Sequence, residues 1–137
     1  MLKYLFAQPQ SIKTALLAVA LFSVCGCGNG EKMCTLRGTV TYGSEAVTEG
    51  TVTFEESENR TTFQAVLSPE GKYSVRVAPG KYKIMVEPPM VAETRGSDAG
   101  QTYKKVNNIP NNFRISDKTP LTSTVDADAT LDFNLKK

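Results

Sequence analysis

The stretch that most constrains the fold is Gly71 to Glu87, GKYSVRVAPGKYKIMVE. Tyr73, Val75 and Val77 share one phase of its first half, and Tyr82, Ile84 and Val86 share one phase of its second. Alternation with period two puts one apolar face of each half on a core, as strands do and helices do not. Ala78-Pro79-Gly80-Lys81 separates the runs. Proline presets φ at the first central position of a type II turn and glycine supplies the positive φ of the second, so a central hairpin is expected here. Just upstream, Ser68-Pro69-Glu70-Gly71 reads as a type I turn.

The same alternation recurs on both sides. Thr35 to Tyr42 carries Leu36, Gly38, Val40 and Tyr42 in one phase, Gly43-Ser44-Glu45 makes a turn, and Val47 is an isolated apolar anchor. Thr51 to Glu55 turns Val52 and Phe54 inward; polar Glu56 to Arg60 reads as an exposed loop; Thr61 to Leu67 puts Phe63, Ala65 and Leu67 in phase. Pro88 to Asn112 sustains neither period and is expected to be a long loop, pinned to the core at its far end by Ile109-Pro110 and Phe113. Leu121 to Val125 and Thr130 to Leu135 read as the last strands, with Asp126-Ala127-Asp128 as a tight connection between them. Seven short strands with no helical period after the first 34 residues argue for an all-β, antiparallel sandwich.

At 137 residues there is room for one such domain. The chain has no His, which removes Ser-His-Asp and Cys-His nucleophile pairs and the usual zinc constellations. The first quarter reads as a targeting segment. Lys3 and Lys13 supply a basic region, and Thr14 to Val24, TALLAVALFSV, is an apolar run too short to span a bilayer comfortably. Without those two lysines the chain carries 14 residues of each sign, interspersed, which gives no support for a nucleic-acid groove.

Val24-Cys25-Gly26-Cys27, followed by Gly28-Asn29-Gly30, resembles the lipobox of bacterial lipoproteins: an aliphatic residue, a short residue, then glycine directly before cysteine. Cys25 fits that pattern less well, because Val24 precedes it and Phe22 stands three back. The resemblance implies cleavage between Gly26 and Cys27, a diacylglycerol on the Cys27 thiol and acylation of the new amino terminus by chains such as palmitate. One chain holds a protein at a membrane only reversibly, whereas two or more hold it stably. Cys34 would then be left without an intramolecular partner, as a cross-linking thiol or, the preferred reading, a small half-buried residue at the start of a strand.

The remainder looks like the carboxypeptidase regulatory-like, transthyretin-like domains of small envelope lipoproteins. Gly38-Thr39-Val40, Gly43 with Val47, Gly50, Val52 and Phe54, Gly71 with Tyr73, and Pro79-Gly80-Lys81-Tyr82-Lys83-Ile84-Met85-Val86 stand where that family has its structural glycines, prolines and core residues. The ending, Ile109-Pro110 through Phe113, Pro120-Leu121-Thr122 and Leu131 to Leu135, is also similar to the lipoprotein members. Ala46 stands where the family often has proline, and Ser68-Pro69-Glu70 replaces an aspartate-bearing turn. The resemblance implies a seven-stranded transthyretin-like or Ig-like sandwich over residues 35–137, after a signal peptide at 1–26 and a lipidated tether at 27–34. It speaks for fold rather than chemistry. The related hydroxyisourate hydrolases rely as a family on histidines and a characteristic carboxy-terminal tetrapeptide, neither of which stands in this chain.

Carboxylates are the remaining candidates for catalysis, in Glu55-Glu56-Ser57-Glu58 and Asp126-Ala127-Asp128. A pair can serve as acid and base, or hold calcium with added carbonyl oxygens, but solvated turn residues are the ordinary explanation of such clusters. No cofactor and no metal site is expected. The loop 88–112 is the better candidate, since Arg95, Tyr103, Lys104 and Lys105, with Met90 and Val91, would offer cationic, aromatic and apolar groups to a peptide or glycan, although a flexible loop with no partner is the ordinary reading of such a segment. The expectation is a non-catalytic, membrane-anchored envelope lipoprotein serving structure or protein interaction, or alternatively a carbohydrate- or cell-wall-binding module.

Overall fold

The computed structural model describes residues 30–93 and 100–136. The segment 1–26, expected as a signal peptide, and Cys25, Cys27 and Arg95 lie outside the described residues. Every run expected as a strand forms one: β1 (Cys34–Tyr42), β3 (Thr51–Glu56), β4 (Thr62–Val66), β5 (Lys72–Val77), β6 (Gly80–Glu87) and β9 (Thr122–Val125), with the last divided into β10 (Ala129–Thr130) and β11 (Phe133–Asn134). Three further strands are β2 (Glu45–Ala46), β7 (Met90–Glu93) and β8 (Gly100–Tyr103). Among the described residues there is no α-helix, and no helix long and apolar enough to cross a membrane.

The strands form two sheets that face one another, plus the β7–β8 hairpin. In one sheet β1 lies between β5 and the β10–β11 pair, with β2 folded back on its end; in the other the order is β4-β3-β6-β9. The facing sides supply the core: Leu36, Val40, Tyr73, Val75, Val77 and Phe133 from the first sheet, and Val52, Phe54, Tyr82, Ile84 and Val86 from the second. Phe54 sits in the middle, with ring centroids 5.8 Å from Tyr73 and 6.2 Å from Tyr82 and Phe133. Val47, Ile109 and Phe113 are buried as the sequence implies, and Cys34 is a buried free thiol, 1% exposed, rather than a surface one.

Two expectations about topology are corrected. First, Gly71–Glu87 is not a hairpin. β5 pairs with β1, and β6 pairs with β3 and β9, so Ala78-Pro79 arches from one sheet to the other. Gly80 does not take the positive φ of a type II turn. The Tyr82 hydroxyl donates to the Ala78 carbonyl at 2.6 Å and ties the arch to the strand that follows. Apolar faces that would lie side by side in a hairpin face each other across the core instead, and both arrangements satisfy the same alternation. The Ser68-Pro69-Glu70-Gly71 turn does form, closed by the Gly71 N–H on the Ser68 carbonyl at 2.9 Å, with φ +73° at Gly71. It too carries the chain between sheets, from β4 to β5.

Second, the sandwich is not wholly antiparallel. β10 and β11 run parallel to β1, pairing Leu36 with Ala129 and Val40 with Phe133. Between them Leu131 and Asp132 leave the ladder and cross over Gly38, where an added Cβ would lie 1.9 Å from the Leu131 carbonyl oxygen. Asp132 Oδ1 accepts from the Thr39 N–H at 2.8 Å and from the Thr39 hydroxyl at 2.7 Å. These bonds hold the Asp132 carboxyl below its ordinary value of 3.8. A depressed folded pKa adds stability above the unfolded value that is lost as pH falls through the folded one. Asp132→Asn keeps an acceptor but removes the titration, so its stability should change less with pH below about 4 than the parent's, as checked by urea unfolding across an acid series.

The segment 88–112 is corrected as well, since β7 and β8 pair from Met90 with Tyr103 to Glu93 with Gly100. Met90, Val91, Ala92 and all four residues of β8 are exposed, so the hairpin has no buried face to write a pattern into the sequence.

Candidate binding surface

After Glu87, Pro88-Pro89 ends β6 and directs the chain into β7, and the Lys104 N–H closes the hairpin base on the Pro89 carbonyl at 2.8 Å. The hairpin thereby flanks the outer side of the β4-β3-β6 sheet. A groove of about 380 Å³ opens between them, lined by Thr51, Gln64, Glu87, Pro88, Met90 and Tyr103. Its polar groups form one chain. The Gln64 amide donates to Thr53 Oγ1 at 3.2 Å, the Thr53 hydroxyl donates to Glu87 Oε2 at 3.1 Å, and the Tyr103 hydroxyl donates to Glu87 Oε1 at 2.8 Å. The bond to the Glu87 carboxylate, with some burial, pushes the Tyr103 hydroxyl above its ordinary pKa.

Of the residues the sequence singles out, the structure brings Tyr103 to the groove wall and places Lys104 beside it, where its ammonium meets Glu49 Oε2 at 2.7 Å. Lys105 is exposed and follows directly. Thr51, Gln64 and Glu87 were not singled out. They stand in the polar phase of their strands: strand pairing sets Thr51 opposite Glu87 and Gln64 opposite Thr53, and the return of the hairpin over that face turns it into a groove wall.

Three of the carboxylates in the two clusters are occupied with structure. Glu55 accepts from Ser116 Oγ at 2.8 Å and pairs with Arg60 at 3.2 Å; Glu56 accepts the turn amides of Glu58 and Asn59 at 3.1 and 2.8 Å; Asp128 accepts the Thr35 N–H at 2.7 Å. Among the described residues no three His, Cys, Asp or Glu side chains are placed to hold a metal ion.

The segment after the hairpin covers the other half of the same sheet face. Thr119 Oγ1 donates to the Ile84 carbonyl at 2.6 Å, Lys83 pairs with Asp117 at 3.6 Å, and Met85 beneath is 8% exposed. What stays open is the strip from the hairpin to β4, where Val66, Met90, Val91 and Tyr103 are exposed. Such a surface can hold an extended chain through hydrogen bonds and apolar contact. Among the described residues Tyr103 is the one exposed large aromatic side chain, so it does not form the row of rings on which sugars stack. No protein-family model, curated protein or solved structure matches this chain.

Proposed function

We propose that this chain is a non-catalytic, lipid-anchored envelope protein whose β-sandwich, of the transthyretin-like kind, presents an interaction surface to other envelope proteins. The observation that carries the anchor is the apolar run Thr14 to Val24 leading into Val24-Cys25-Gly26-Cys27 and a glycine-rich tether. In support of a non-catalytic role, Glu55, Glu56 and Asp128 are each committed to turns, straps or strand ends. In support of protein rather than glycan as the partner, the open strip is a sheet face bordered by Met90, Val66 and a single tyrosine.

Cys27→Ala should move the protein from the membrane to the soluble fraction, as measured by fractionation and immunoblotting after export, and unchanged membrane retention would sink the anchor. Cross-linking in intact envelope followed by affinity recovery tests the rest. A protein partner lost with Tyr103→Ala and Lys105→Glu together supports an interaction module; enrichment of polysaccharide instead would overturn the choice of partner.

A further inference from the structure

The edges of the two sheets are not protected alike. Exposed strand edges carry unpaired N–H and C=O groups, and proteins blunt them with charges, prolines, bulges or brevity. The β5 edge displays Lys72 and Arg76, both exposed. The β9 edge is four residues long and lies between Pro120 and Asp126. The β10–β11 edge is two short pieces interrupted at Leu131-Asp132. β4, which ends its sheet, has none of these devices: its five residues, Thr62-Phe63-Gln64-Ala65-Val66, include no charge, no proline and no bulge against β3. Val66 is 77% exposed, the most open of the large apolar side chains among the described residues.

The backbone phase of that edge can be read. At one end of the β3–β4 ladder the Leu67 N–H donates to the Gly50 carbonyl, and at the other the Glu56 N–H donates to the Thr61 carbonyl. Bonded and non-bonded pairs alternate along an antiparallel ladder, so Phe63 and Ala65 bond to β3 while Thr62, Gln64 and Val66 turn their N–H and C=O groups outward. Among the described residues no strand takes them up.

We propose that a second copy of this chain does, pairing β4 to β4 antiparallel about a two-fold axis at Gln64. In that register Gln64 exchanges both main-chain bonds with Gln64 of the second copy, and Thr62 exchanges its pair with Val66. The charges favour one direction. Arg60 is the first charged residue before β4 and Glu70 the first after it; both side chains are exposed, at 67% and 72%, and each is also paired in its own chain, Arg60 with Glu55 at 3.2 Å and Glu70 with Lys72 at 3.4 Å. Antiparallel pairing carries each Arg60 toward the end where the other copy holds Glu70, whereas parallel pairing would set Arg60 beside Arg60. The two-fold is closed and isologous, so the contact stops at two chains and does not propagate as a fibre. The joined sheet runs through both sandwiches and brings the two open strips onto one continuous face. A five-residue edge buries far less than the ~1,600 Å² of a standard interface, so the dimer is reversible.

This proposal is independent of the membrane anchor. Sedimentation velocity of the purified full-length chain should show a concentration-dependent monomer–dimer equilibrium, with hydrogen-exchange protection of the Thr62, Gln64 and Val66 amides rising as dimer forms. Gln64→Lys, which sets two lysines together at the axis, should raise the dissociation constant at least about tenfold; Val66→Lys, opposite Thr62 and toward Arg60 of the second copy, should raise it as well and, at an open side chain, without lowering the unfolding midpoint. Ser74→Lys, on the β5 edge, should leave it unchanged. A monomer at every concentration up to about 1 mM, the weakest association worth the name, overturns the proposal. So does a dimer indifferent to both β4 lysines, or protection of β4 that appears only when a different extended peptide is added.

Discussion

Replacing Gly38 by alanine should cost at least about 3 kcal/mol of folding stability, at the upper end of what overpacking a single site does. The new Cβ would lie 1.9 Å from the Leu131 oxygen and 2.6 Å from its carbonyl carbon. These are backbone atoms, so no rotamer change relieves the clash. Leu131 is held where it is from three directions: its N–H donates to the Arg37 carbonyl at 2.7 Å, its carbonyl accepts the Tyr73 hydroxyl at 2.7 Å, and the next residue is bound to Thr39 by Asp132 Oδ1. Room for a methyl group therefore comes only from lifting the segment between β10 and β11. That would break those bonds and draw Phe133 and Leu135 out of the core. Urea unfolding measures the loss. Gly30→Ala, where nothing lies within 4 Å of the added carbon, is the matched control and should be near neutral. A Gly38→Ala loss below about 1 kcal/mol would mean that the crossing gives way freely and that the carboxy-terminal strands contribute little.

That crossing marks the limit of what the chain's pattern can say. Alternation located the strands, because burying one face of a pleated ribbon forces period two whatever its neighbours are. It could not say which strands pair. The phases of Tyr73-Val75-Val77 and Tyr82-Ile84-Val86 are the same whether the runs lie side by side or face each other across the core, and the Pro-Gly pair suits an arch as well as a turn. Nor could it separate parallel from antiparallel at the end of the chain, since β10 and β11 offer only four residues between them. Gly38 itself was legible only as a glycine in the inward phase of a strand, because what approaches it comes from more than ninety residues away, as the 93-residue separation of Thr39 and Asp132 shows. The groove was half legible. Tyr103 and Lys104 stood out by type, whereas Gln64, Thr51 and Glu87, neighbours through strand pairing, line a groove only because an all-exposed hairpin, silent in any hydrophobic pattern, folds back over them.

Phe54→Ala is the second large effect, expected at about 3–5 kcal/mol, the range for removing a fully buried aromatic ring. Phe54 is 0% exposed and is the residue through which the two sheets are keyed together. Its ring meets Tyr73 and Phe133 of the opposite sheet and Tyr82 of its own. Contacts between aromatic rings add about 0.5–1.5 kcal/mol each beyond the area they bury. Tyr73 and Phe133 are themselves stacked at 6.0 Å, so losing Phe54 leaves that pair facing a cavity instead of a partner. Because β5 and β6 do not bond to each other, the sheets are joined along this part of the chain by side chains meeting in the core and by the arch at Ala78-Pro79. A cavity at the centre should therefore loosen the sheets together rather than fray one edge. Urea unfolding of Phe54→Ala should show the full loss in one transition, with the near-ultraviolet dichroism of Tyr73 and Tyr82 weakened in the native baseline. Phe63→Ala, at a half-buried ring that touches Tyr82 at 6.1 Å, should lose roughly half as much on the same area argument. Equal losses at the two sites would mean that the edge strand β4 carries as much of the core as its centre does, and that the sandwich is not keyed through Phe54.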